Sequence, residues 1–140
     1  MITLFLNKTL DSLTRTKEYK ELLKYFTERQ FPLFLGGVRG VVLACLAHEL
    51  LKYSKAPFLF IFPTDREAQN FCSDYNLFED EMLFFPSWET IPYSGDNPSA
   101  YVSGSRVSTL SRIMSGKKTA VSMSQKAFLT YLPEKEFLSS

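Results

Sequence analysis

The sequence predicts an α/β fold in three layers, a parallel sheet flanked by helices on both faces. Three observations carry this. The run Phe34-Leu35-Gly36-Gly37-Val38-Arg39-Gly40-Val41-Val42-Leu43-Ala44 reads as a buried strand, a glycine turn and a helix, the order in which α/β nucleotide folds build a phosphate cradle. Residues 57–62 (PFLFIF) form a continuous apolar run, the pattern of a strand covered on both faces of a parallel sheet. Strand, turn and helix then recur along the rest of the chain, so right-handed crossovers between parallel strands are expected.

Taken in order, the chain opens on an amphipathic helix. From Thr16 onward, Tyr19, Leu22, Leu23 and Phe26 fall at helical spacing on one face, and Glu18, Lys20, Glu21 and Lys24 lie largely off it, with an end near Gln30. Residues 1–31 are therefore set apart as an N-terminal helical segment, and residues 32–140 as the α/β domain. Pro32 stops the helix, and residues 33–35 supply the first short strand. The helix after the glycine turn is apolar almost all round from Val41 to Leu51, which marks it as central and covered. It carries His48, the one histidine of the chain, which has no carboxylate or cysteine cluster in sequence reach and reads as a surface or core residue rather than a ligand.

After the second strand, Thr64-Asp65-Arg66-Glu67 is a capping box, and Ala68, Phe71, Cys72 and Tyr75 form the stripe of the next helix. A third strand spans residues 82–85, and the stretch after Pro86 is long and rich in Pro, Gly, Asp and Asn. A loop of that length inside a compact domain is more often functional than accidental. Helix resumes over residues 105–115, with Gly116 as its stop. A fourth strand at 119–123 leads to Ser124 as N-cap and to a last helix with Ala127, Phe128, Tyr131 and Leu132 on its inner face, closed by Pro133.

Composition narrows the function classes. The chain has 140 residues, enough for a sizeable core, and a formal charge of +1, which gives no electrostatic argument for nucleic acid, membrane or an acidic ligand. Cys45 and Cys72 sit in helical stripes and read as small buried thiols of a reducing compartment rather than a disulfide or metal pair. The apolar start at residues 1–6 is too short for a signal peptide or a membrane span, so a cytoplasmic protein is expected.

The glycine turn lacks its chemistry. With Gly37 as the first glycine of G-x-x-x-x-G-K-S/T, Val42 stands at the last glycine, Leu43 at the lysine and Ala44 at the magnesium-binding hydroxyl; starting from Gly36 fits no better. Without the lysine and the hydroxyl, phosphoryl transfer loses two of its parts. The plainer reading of Gly36, Gly37 and Gly40 is an ordinary strand-to-helix turn, and both readings predict no cofactor and no catalysis here.

The run Phe85-Pro86-Ser87-Trp88-Glu89-Thr90-Ile91-Pro92-Tyr93, followed by Ser105-Arg106-Val107-Ser108-Thr109-Leu110, resembles the N-terminal module of the bacterial transcription-repair coupling factor family. Its signature residues here are Trp88, Glu89, Thr90, Pro92, Tyr93, Ser105 and Arg106. That module is similar to the B subunit of the excinuclease, which implies a helicase-like, RecA-like P-loop fold whose nucleotide loop has degenerated in this chain. The resemblance implies a parent that is an ATP-dependent DNA translocase, displaces stalled RNA polymerase and recruits the excinuclease A subunit for nucleotide excision repair. The working motor of such a parent lies in later domains. This chain is then a noncatalytic scaffold and interaction domain, whose partners are other domains of the parent chain and, through the parent, DNA, RNA polymerase and the excinuclease A subunit, with no membrane.

Residue by residue, a packing role competes with a functional one: Trp88 and Tyr93 as loop anchors, Glu89 accepting backbone N–H bonds, Arg106 capping or pairing locally. A second reading makes the chain a nucleic-acid-binding fragment of a helicase-like or excinuclease B-like repair protein, with Arg39, Arg106, Arg112, Lys117 and Lys118 on a basic surface and Tyr93 and Tyr101 as stacking faces. A stand-alone enzyme would need an acid–base pair from Asp65, Glu89 or Asp96, which no spacing supports.

Overall fold

The computed structural model describes residues 2–78, 81–90, 95, 97–117, 119–132 and 134. They form two compact units, Met1–Lys55 with Ser73–Asp80, and Ala56–Cys72 with Glu81–Ser140. Among them no helix is long and apolar enough to cross a membrane.

The first unit is helical. Helix α1 (Ile2–Arg15) leads to α2 (Lys17–Thr27), and α3 (Val41–Leu51) follows an extended connection. Thr16 caps α2 by accepting a hydrogen bond from the Tyr19 amide at 3.2 Å, which turns Tyr19 and Leu22 inward as the helical stripe requires. These two residues and Leu46 of α3 make the core of the unit, with Leu13, Leu23, Leu33, Val38 and Leu50 packed against it. Helix α3 buries Ala44, Cys45, Leu46, Ala47 and Leu51, the covered position its apolar composition predicts. His48 stacks on Phe78 at 4.4 Å between ring centres, so it packs against the short helical turn Asn76–Phe78.

The second unit holds the sheet. Strands β1 (Phe58–Phe62), β2 (Met82–Phe85) and β3 (Ala120–Ser124) lie parallel in the order β1-β3-β2, with α4 (Asp65–Tyr75), α5 (Ala100–Met114) and the one-turn α6 (Gln125–Phe128) after them in turn. Side chains alternate between faces. On one face Phe71 of α4 packs on Phe60 and Phe62, each ring centre 4.9 Å away, and the Ser122 hydroxyl donates to the Ala68 carbonyl at 2.7 Å. On the other face Phe85, Val121 and Met123 pack with Ala127 of α6, joined by Leu83 and by Leu110 of α5. The chain moves past β3 to reach β2 with α4 on one face, then back to β3 with α5 on the other. Opposite directions with helices on opposite faces give the two crossovers the same hand, as the right-handed rule for parallel strands demands of both.

Four sequence expectations are corrected here. Residues 33–35 are not a strand but part of the connection before α3 in the helical unit, with Phe34 93% exposed; β3 of the sheet pairs with β1 on one side and β2 on the other, and only Leu33 turns inward. The run 58–62 is a strand but is not covered on both faces: it is an edge strand, and Leu59 and Ile61 stay about half exposed, outside the apolar cluster that Phe85, Val121, Met123 and Ala127 form on that face. Helix α5 starts at Ala100 rather than at 105, since the Ser99 hydroxyl caps the Val102 amide at 3.3 Å and Gly104 is carried inside the helix. The last helix ends at Phe128, so Ala127 is buried while Phe128, Tyr131 and Leu132 are exposed; Pro133 lies outside the described residues.

The local signals at helix ends hold. Thr64 accepts from the Glu67 amide at 3.2 Å and its hydroxyl meets the Glu67 carboxylate at 3.3 Å. Ser124 accepts from the Ala127 amide at 3.1 Å. Gly116 ends α5 at a φ of 71°, with its N–H on the Ile113 carbonyl. No atom would meet an added methyl group there. Gly116→Ala therefore isolates backbone strain and is expected to lower stability by about 1 kcal/mol in urea unfolding. An unchanged midpoint would show that this turn relaxes freely.

Candidate functional site

The first candidate is the glycine turn of the helical unit. Gly37 and Gly40 both take positive φ, 78° and 56°, as a turn into a helix N-terminus needs, whereas Gly36 does not. Gly40 is the N-cap of α3 and offers no side chain to the first amides. The Leu43 and Ala44 amides already bond to the Gly40 carbonyl at 3.0 and 3.3 Å. Val42 is exposed, Leu43 half-buried and Ala44 fully buried, so the positions of the last glycine, the lysine and the hydroxyl hold an apolar surface, an apolar flank and core. This donor set does not fit the usual magnesium nucleoside triphosphate loop: Leu43 replaces its lysine, and a hydroxyl at Ala44 would sit in the core.

The second candidate is the carboxyl edge of the sheet, where parallel α/β folds place their sites. Strand β1 runs out into Asp65, β2 into Pro86, Ser87 and Trp88, and β3 into Ser124. Arg106 reaches this edge from α5. It is 2% exposed, donates to the Pro86 carbonyl at 2.8 Å, and lies between two rings, its guanidinium carbon 4.1 Å from the Phe85 centre and 4.3 Å from the Trp88 centre. The Asp65 carboxylate accepts from both the Ser87 amide, at 3.0 Å, and the Ser87 hydroxyl, at 2.6 Å. Lys126 donates to the Trp88 carbonyl at 3.3 Å.

Electrostatics follow from this packing. Burial by itself raises the Asp65 carboxyl, but hydrogen bonds from Ser124 and Ser87 and the nearby Lys126 charge outweigh it and hold the group below its ordinary value. Burial lowers the Arg106 guanidinium and the Asp65 charge opposes that. A guanidinium still titrates far above neutrality, so Arg106 is a buried cation stacked on two aromatic faces.

The structure thus brings together the two halves of the signature, Trp88 and Arg106, in direct contact. The Ser105 hydroxyl donates to the Phe84 carbonyl at 3.0 Å, which ties α5 to β2. Glu89 is exposed and Thr90 half-buried. Pro92 and Tyr93 lie outside the described residues, as do Asp96 and Lys118. Arg106 is withdrawn from the basic surface of the nucleic-acid reading because it is buried, and Arg112 is ion-paired with Glu81; Arg39, Lys117 and Tyr101 remain exposed. Sequence reasoning gave no role to Ser87 or Lys126 and saw Asp65 as part of a capping box and as a candidate acid or base. The signal available was an acidic residue directly after a strand, at the carboxyl edge.

Fold and site define two units, a small parallel α/β unit whose carboxyl edge carries Asp65, Ser87, Trp88 and Arg106, and a helical unit whose glycine turn carries Leu43 and Ala44 where a phosphate loop has a lysine and a hydroxyl. No family profile and no solved structure match the chain. Among curated proteins it is similar to the transcription-repair-coupling factor of Escherichia coli, 31% identical over 77 residues, which is 54% of this chain and 7% of that protein. It is also similar to those of Rickettsia prowazekii, 34% over 61 residues (43% and 5%), and Rickettsia bellii, 27% over 92 residues (64% and 8%). The chain therefore matches less than a tenth of the length of these relatives, and all three carry the name of the family that its signature resembles.

Proposed function

We propose that this chain is a noncatalytic scaffold and interaction domain of a transcription-repair coupling factor. The observation that carries the reading is the glycine turn with Leu43 and Ala44 where a nucleotide site needs a lysine and a hydroxyl. The carboxyl edge supports it, since Asp65 accepts from Ser87 and Arg106 lies against Trp88, so these side chains are taken up by one another's packing. In this reading the fold is a RecA-like frame kept after its active site decayed, with residues 1–31 as a helical lead and residues 32–140 as the α/β domain. The parent is a cytoplasmic ATP-dependent translocase on DNA. It acts on stalled RNA polymerase and recruits the excinuclease, and this domain contacts other domains of the same polypeptide.

The test is titration calorimetry with magnesium ATP. No binding heat at micromolar concentrations is expected, because Leu43 and Ala44 supply neither the lysine that meets the phosphates nor the hydroxyl that holds magnesium. Micromolar affinity would overturn the scaffold reading. The nucleic-acid reading is weaker, since Arg106 is buried and Arg112 is paired.

A further inference from the structure

At the end of β2 the main chain passes through residues 86, 87 and 88, and each is held by a charged side chain from a different helix. Arg106 of α5 donates to the Pro86 carbonyl, Asp65 of α4 accepts from the Ser87 amide, and Lys126 of α6 donates to the Trp88 carbonyl. Pro86 has no N–H, so a sheet ladder has no donor there. Charged side chains fasten backbone that the ladder has released, and charge-assisted hydrogen bonds are the stronger kind. The Ser87 hydroxyl doubles the contact to Asp65, and Ser87 is buried.

We propose that residues 86–88 are a charge-held latch: neutralising one of its charges frees Trp88 from its seat on Arg106 while the three-stranded sheet stays folded. The groups facing the Asp65 carboxylate are Ser87 in the latch, Ser124 at the end of β3, Lys126 of α6 and Arg106 of α5. All are hydroxyls or cations, so the latch holds while Asp65 is ionised. Because the folded carboxyl lies below its ordinary value, its contribution is complete above that ordinary value and is lost as pH falls through the lowered one. The sheet has its own main-chain pairing and apolar faces and does not titrate with it.

Trp88 is the single tryptophan of the chain, so its emission reads the latch while far-UV circular dichroism reads helices and sheet. At neutral pH, Asp65→Asn is expected to red-shift the emission and raise acrylamide quenching with the dichroism spectrum unchanged. Lys126→Gln gives a smaller shift in the same direction. The unaltered chain reproduces the Asp65→Asn emission on acidification, at a pH where its dichroism is still native. An emission maximum unmoved in both variants would overturn the latch. Should Asp65→Asn not fold, the acid titration decides alone: emission moving before dichroism supports the latch, and the two moving together refutes it.

Discussion

Replacing Arg106 with alanine will cost about 3–5 kcal/mol of stability, the range for removing a buried, hydrogen-bonded charge together with its packing. Three losses combine. The Pro86 carbonyl loses its donor, the Phe85 and Trp88 rings lose the cation between them, and the side-chain volume becomes a cavity. Two further variants separate these contributions. Arg106→Met keeps most of the apolar volume and is expected to lose about half as much, since isosteric filling removes the cavity but not the missing donor. Arg106→Lys keeps the charge and still falls short, because an ammonium cannot lie flat between two rings while reaching the Pro86 carbonyl. Urea unfolding followed by Trp88 emission and by circular dichroism measures all three. A lysine variant as stable as the parent would show that charge alone matters and that the stacked geometry is incidental.

The second large effect is expected on the opposite face of the sheet. Phe71→Ala removes the ring that packs on both Phe60 and Phe62 and should cost about 3–5 kcal/mol, the range for a buried phenylalanine. Its neighbour Ala68 is bonded through its carbonyl to Ser122, so α4 has little freedom to settle into the gap. Ile61→Ala, on the half-exposed face of the edge strand, is expected to cost only about 1 kcal/mol, because half of its apolar surface is already in water. Thermal unfolding of the two variants compares the faces directly. Equal losses would mean that the Leu59 and Ile61 face is covered after all.

The contrast between these residues shows where sequence reading succeeds. Thr64 with Glu67, Ser124 and Gly116 were legible because a cap is made by residues within three or four positions of each other. The inward stripe of Tyr19 and Leu22 was legible for a similar reason, the constant pitch of a helix. Residues 33–35 misled because an apolar triplet satisfies the strand pattern whether or not a neighbour exists to pair with it. The run 58–62 misled differently. Its apolar content is compatible with burial on both faces, but it stands at the edge, and the covering of an edge strand is decided elsewhere in the chain.

The candidate site divides along the same line. That the glycine turn lacks a lysine and a hydroxyl could be read from Leu43 and Ala44 directly, because the missing chemistry belongs to the residues themselves. That Trp88 touches Arg106, and that Asp65 closes on Ser87, could not be read, since each pair is separated by many residues and meets only when β1, β2 and β3 end side by side. By itself, then, the sequence determined the α/β class, the helix ends and the loss of phosphate-binding groups, all properties of residue type and short spacing. Which strand lies at the edge, and which charges hold the segment after β2, were decided by the tertiary structure, because burial and pairing depend on neighbours that only folding brings into reach.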